Sequence, residues 1–127
     1  MITLLCAYCT TSEAFKILEA QTLINRTLPT HCFANKLAER GVSDGWINRL
    51  QGANERLSIR FYFEDNKVVG WTYAGDTNIN LNRKFHSQFS ACKTASNVVH
   101  ELTHTLGYQH KSDVAYAANY AFEACCQ

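Results

Sequence analysis

Residues 100 to 110 read HELTHTLGYQH, and the spacing of their histidines constrains the backbone more tightly than any other part of the chain. Four helical residues advance about 400° around the axis, so His100 and His104 stand one turn apart on the same face, close enough to share one tetrahedral ion. Glu101 lies about 100° round from His100, where its carboxylate reaches a water on that ion without being a ligand itself. A hydrolytic zinc site takes three protein ligands and keeps a fourth position for water. On a continuing helix His110 would sit about 9 Å along the axis from His104, too far for two nitrogens each ~2.1 Å from one ion. The chain must turn back. Gly107 can take the left-handed conformation at a helix end without a Cβ penalty, so this glycine and His110 belong to one device.

The elements around this stretch follow from periodicity. Thr11 or Ser12 is expected to cap a helix carrying Phe15, Leu18 and Ile24 and ending before Pro29. Thr30 starts a second, with Phe33 and Leu37, stopped by Gly41; Ser43 or Asp44 caps a third through Trp46, Ile47 and Leu50, closed by Gly52. The period then changes to two. LSIRFYFE alternates Leu57, Ile59, Phe61 and Phe63 against polar partners, EDNK turns, VVGWTY is a second strand, AGD turns, and TNINLN is a third with Ile79 and Leu81 inward and Asn78, Asn80 and Asn82 outward. Three successive strands with short turns predict an antiparallel meander. Thr94 or Ser96 caps the histidine helix, with Val98, Val99, Leu102 and Leu106 as its buried stripe. From Asp113 a last helix places Val114, Ala117, Ala118, Ala121, Phe122 and Cys125 on one face. The expected class is α+β: a helical N-terminal part, a three-stranded antiparallel sheet, the zinc-binding active-site helix and a C-terminal helix, in one domain over residues 1–127.

Charge and cysteine usage narrow the partners. With 12 Lys+Arg against 11 Asp+Glu and no run of one sign, nothing resembles an electrostatic footprint for nucleic acid or an anionic membrane. No apolar stretch is long enough to span a bilayer, and MITLLCAYCT is too short and lacks the basic start of a secretory signal. Cys6, Cys9, Cys32, Cys92, Cys125 and Cys126 are an even number, as a disulfide framework requires. They point to an oxidising setting, secreted or periplasmic, with buried thiols or a second metal site as the other readings. Their pairing is open.

HELTHTLGYQH matches every fixed position of H-E-x-x-H-x-x-G-x-x-H, the zinc-binding signature of the metzincin metallopeptidases, and the chain resembles that family here. Upstream, GDTNINLN is similar to the edge strand that precedes the active-site helix in those enzymes and lines the cleft. The resemblance runs from Gly75 to His110. It implies a zincin-like peptidase in which His100, His104 and His110 hold Zn2+ and Glu101 is the general base and acid. The family is named for a methionine in a turn beneath the zinc. The one methionine here is Met1, so the likeness is to a minimal, divergent metzincin-like zincin, with Ala118 or its neighbours expected to pack under the histidines.

The function expected on these grounds is a zinc-dependent metalloendopeptidase that hydrolyses peptide bonds with a zinc-bound water activated by Glu101. Tyr116 and Tyr120 are candidate oxyanion donors or packed aromatics. Asn78 and Asn80 are candidate substrate-binding positions, since an edge strand can pair with an extended peptide, and the same asparagines also suit a polar face that discourages aggregation. His31 and His86 do not fit the ligand spacing and are expected to be structural or solvated. Trp71, Phe85 and Phe89 are assigned to the core. The partner is a peptide or protein substrate, with any inhibitor or propeptide not visible in the sequence. A zinc-containing peptide-binding module without turnover, or a narrow-specificity secreted effector peptidase, are the alternatives.

Overall fold

The computed structural model describes residues 1–109 and 114–126. Its elements in chain order are β1 (Ile2–Ala7), α1 (Thr11–Thr27), α2 (His31–Glu39), α3 (Asp44–Gln51), β2 (Glu55–Tyr62), β3 (Gly70–Trp71), β4 (Asn78–Asn82), α4 (Arg83–His86), α5 (Ala91–Thr105) and α6 (Val114–Cys125). The class is α+β, but the sheet is not the expected meander. Four strands lie in the order β1-β2-β4-β3, with β1–β2 and β2–β4 parallel and only β3–β4 antiparallel. The physical reason is β1. Its run ITLLCA is a short apolar stretch that periodicity alone cannot tell from a buried helix segment. Once it is a strand, the three helices between β1 and β2 form the long crossover that a parallel pair needs.

The strand faces obey the period of two. Leu4 lies opposite Leu57, Ile59 opposite Ile79, and Phe61 opposite Leu81, so one apolar face runs across the three long strands. Leu57, Ile59, Ile79 and Leu81 are fully buried, whereas Phe63 falls beyond the end of β2 and is exposed. Asn82 departs from the outward set. It is buried, its side-chain amide donating to the carbonyls of Glu64 and Val68 and its Oδ1 accepting from the backbone N–H groups of Glu64 and Lys84. That side chain fastens the 64–68 loop, which is why only two residues of VVGWTY remain as a strand.

Helix α1 starts one residue earlier than expected, with Thr10 and Glu13 forming a reciprocal capping box at 3.1 and 2.9 Å. Its buried stripe is Ile17, Ala20, Ile24 and Thr27, while Phe15 and Leu18 face out. The geometry explains the correction: nine residues separate Phe15 from Ile24, a rotation of about 900°, which puts them on opposite sides of the helix. Thr30 and Ser43 cap α2 and α3 as expected. The cap of α5 is Ser90, a full turn before Thr94, because the short α4 ends early enough for the helix to begin at Ala91. Thr94 and Ser96 are buried inside α5.

Packing positions the histidine helix. α1 lies on β1 and on α5; α5 in turn packs on α1, α6 and β3, and α6 also packs on α2. All six cysteines are paired: Cys6–Cys9, Cys32–Cys125 and Cys92–Cys126. The adjacent Cys125 and Cys126 therefore tie the end of α6 both to α2 and to the first turn of α5. The start of the last helix at Asp113 and the KSD connection before it lie outside the described residues. Among the described residues, no helix is long and apolar enough to cross a membrane.

Candidate metal centre

The last turns of α5 carry His100, Glu101 and His104, whose ligand atoms all lie within 4.8 Å of one another. This group can hold a metal ion. The helical spacing that predicts it is realised directly, with the two imidazole centroids 5.5 Å apart. Glu101 is only 4% exposed, and burial pushes its carboxyl up to about 7, because a charged carboxylate loses hydration there. His110 lies outside the described residues.

The helix ends as the glycine argument requires. Gly107 has φ +101, its N–H donates to the carbonyl of His104, and the N–H of Tyr108 donates to the carbonyl of Thr103 at 3.0 Å. This pair of bonds is the Schellman closure, which satisfies carbonyls the helix leaves open. It also brings the Tyr108 carbonyl back over the last turn, 2.9 Å from Nδ1 of His104. A carbonyl oxygen only accepts, so Nδ1 carries the proton and the lone pair is on Nε2, the nitrogen that a metal ligand must offer. The Tyr108 ring stacks on the His104 ring at 6.1 Å and meets the edge of Trp46 at 5.3 Å. Arg49, above Trp46, donates to the carbonyl of Leu106. Thus α3 braces the turn that fixes the tautomer of His104.

A second set of bonds holds the 72–76 loop on the same helix end. The Gly75 N–H donates to the His104 carbonyl and the Thr105 hydroxyl to the Asp76 carbonyl, at 2.9 and 2.7 Å. The strand before that loop, β3, is the sheet edge beside the histidines. Two cavities open along it. One, of about 490 Å³, includes Val69, Gly70, Phe89, Lys93, His100 and Glu101 in its lining. The other, of about 370 Å³, includes Trp71, Tyr73, His100, Glu101, His104 and Tyr108. His100, Glu101, Gly70 and Tyr116 belong to both, so His100 and Glu101 stand where the two cavities meet, with His104 on the side of the smaller one.

The remaining expected residues distribute unevenly. Tyr116, on α6, is brought to the centre: its ring lies 4.8 Å from that of His100, and it is 58% exposed. Tyr120 is not; the Arg40 guanidinium covers its ring 3.7 Å from the centroid. Ala118 is buried with Ala115, Ala117 and Ala121 along α6, and from the same helix the Tyr116 ring meets His100. Asn78 and Asn80 lie on β4, which is paired on both sides and is not an edge, and neither lines the two cavities. Asn78 bonds to Asp76 and Asn80 to the Trp71 carbonyl, so these amides hold the rim rather than face the cleft. His86 is buried, its Nδ1 3.0 Å from the Thr94 hydroxyl, and burial lowers its pKa to about 4, which fits a structural role. Of the aromatics assigned to the core, Trp71 is exposed at the rim and Phe89 lines the larger cavity. The short β3 gives too weak an alternation to announce Trp71, and Phe89 lies in the turn between α4 and α5, where no periodicity speaks for it. Compared with protein-family models, curated proteins and solved structures, the chain finds no match in any of the three.

Proposed function

We propose that the protein is a zinc-dependent metalloendopeptidase, a minimal metzincin-like zincin acting on extended peptide. The observation that carries this reading is the convergence of His100, Glu101 and His104 within 4.8 Å in the cleft that the two cavities form beside the β3 edge. The donor set suits the ion: two imidazoles with a fixed tautomer at His104, and a carboxylate one residue on that is buried and close. His100 and His104 would hold zinc, with His110 as the third ligand, and a bound zinc supplies a Lewis acid that lowers the pKa of water and polarises a carbonyl.

The chain's own groups do the rest. Glu101, buried beside the histidines, would accept a proton at a carboxylate oxygen and pass it to the leaving amine. Tyr116 has its hydroxyl-bearing ring beside His100, where it can donate to a developing oxyanion. Strand β3 has β4 on one side only, so its other edge can align an extended backbone across the cleft by strand addition. The three disulfides fit an oxidising compartment, secreted or periplasmic. The test is to load the protein with zinc and incubate it with a denatured protein. Cleavage abolished by a chelator and restored by zinc supports the reading; cleavage indifferent to the chelator, or none at all, removes it.

A further inference from the structure

The two halves of the cleft differ in chemistry. Among the described lining residues of the larger cavity, the half beyond Gly70 carries Lys67 and Lys93, the amides of Asn97 and Asn119, and the ring of Phe89, with Glu101 at its inner boundary as the one acidic residue. The opposite half is lined by Trp71, Tyr73 and Tyr108 with Thr72, Ala74 and Gln109, and its described lining contains no lysine or arginine. Trp71 and Tyr73 meet edge to face at 5.3 Å, which makes one aromatic wall rather than two independent side chains.

From this asymmetry we infer that the substrate is a peptide with an apolar or aromatic residue on one side of the point of attack and an acidic residue on the other. The inference rests on the peptidase reading for the word substrate, and on the cleft lining for the selectivity. Lys93 is held in place by Glu123, with Nζ to Oε1 at 2.9 Å, and its side chain is still partly exposed, so the ammonium can donate to a further carboxylate. Lys67 is exposed on the loop that leads into β3. The Asn119 amide donates to the Ser96 hydroxyl at 2.9 Å, and the Asn97 amide to the Lys93 carbonyl, so both are ordered on the cleft wall. A basic side chain in this half would meet the ammonium of Lys67 and that of Lys93, the second already paired with Glu123; an acidic one would find its complement first at Lys67.

The experiment measures binding, independently of turnover. Fluorescent peptides carrying a Tyr-Leu flank and either an Asp-Asp or a Lys-Lys flank, each made in both orders, are titrated into the zinc-loaded Glu101→Gln variant at low salt. The expected result is that in one order the acidic peptide binds about tenfold more tightly than the basic one, with the difference shrinking as salt is raised. Lys67→Glu, which lies on an exposed loop, should narrow that ratio, and Lys67→Glu with Lys93→Glu should reverse it. Because Lys93→Glu loses the pair with Glu123, the single Lys67 variant carries the test if the double variant does not fold. Equal binding of acidic and basic peptides in both orders, or no binding, overturns the inference. Cleavage of an unbiased peptide library by the parent judges the peptidase reading separately: cleavage without acidic preference leaves that reading and sinks this one. Acid-selective binding without cleavage does the reverse.

Discussion

The Nδ1 of His104 donates to the carbonyl oxygen of Tyr108 across 2.9 Å, and this bond joins the helix-ending turn to the chemistry of the site. Its consequence reaches Trp46, whose ring meets Tyr108 edge-on at 5.3 Å without lining either cavity of the cleft. Trp46→Ala should loosen Tyr108 and with it the orientation of His104, lowering metal affinity about tenfold, as loss of outer-shell support does. Competition with a chromophoric chelator measures the affinity, and the absorption of a cobalt-substituted sample reports the ligand geometry. Unchanged affinity and an unchanged cobalt spectrum would show that the stack is only packing.

Gly107 sits at φ +101, and no described residue lies within 4 Å of its would-be Cβ. Among the described residues substitution there meets no steric wall, so the cost of Gly107→Ala is conformational, about 1–2 kcal/mol. The variant should lower the unfolding free energy by that amount in urea and also weaken metal binding, since the Tyr108 carbonyl shifts with the turn. A neutral effect on both would mean that the turn does not need the left-handed conformation.

His86 is 1% exposed and its pKa is lowered to about 4 by burial, so the folded protein keeps it neutral where an unfolded chain, with its pKa near 6.5, protonates it. Through this group the unfolded state binds more protons between these values, so the His86 contribution to stability falls as pH drops from about 6.5 to about 4, by on the order of 3 kcal/mol, while Glu101, raised to about 7, acts in the opposite direction. Urea unfolding across that window should therefore show parent and His86→Gln differing in slope, the parent gaining more stability, or losing less, as pH rises. Parallel slopes in parent and variant would refute the assignment.

Strand β1 is a sheet edge, yet α1 closes part of it. Gln21 Oε1 accepts from the Leu4 N–H and Asn25 Oδ1 from the Ile2 N–H, both at 2.8 Å, and the Asn25 amide returns a bond to the Ile2 carbonyl. Residues 21 and 25 are one helical turn apart and strand residues 2 and 4 share a face, so the two periods interlock. Gln21→Ala with Asn25→Ala should cost about 2–4 kcal/mol by leaving backbone groups unsatisfied and should promote self-association through the opened edge. Sedimentation and denaturant titration check both effects. A monomer of unaltered stability would argue against the closure.

What the sequence made legible was local. The one-turn spacing of His100 and His104, the left-handed helix end at Gly107 and the caps at Thr30 and Ser43 depend on neighbours within a few residues, and the structure reproduces them. The sheet order depends on partners far apart in the chain. β1 pairs with β2 across three helices, and β4 inserts between β2 and β3, neither of which periodicity reports. With β4 inside the sheet, its edge and the rim of the cleft lie at Trp71 rather than at Asn78 and Asn80. The burial of Asn82 was hidden for a similar reason: the alternation assigns it outward, and only the 64–68 loop folding over it supplies its bonds. Tyr116 could be nominated because it follows the motif closely. Trp46 and Tyr108 could not, because Tyr108 acts only through its contact with His104, and Trp46 only through Tyr108.

The central claim is metal-assisted hydrolysis with Glu101 as the proton carrier, and zinc content and peptide cleavage measured on the same preparations of parent and Glu101→Gln test it most directly. About one zinc per chain is expected in both proteins, with cleavage at least about a hundredfold slower in the variant, as loss of a general base entails. A parent that binds no zinc after reconstitution, or a variant that cleaves as fast as the parent, would contradict it.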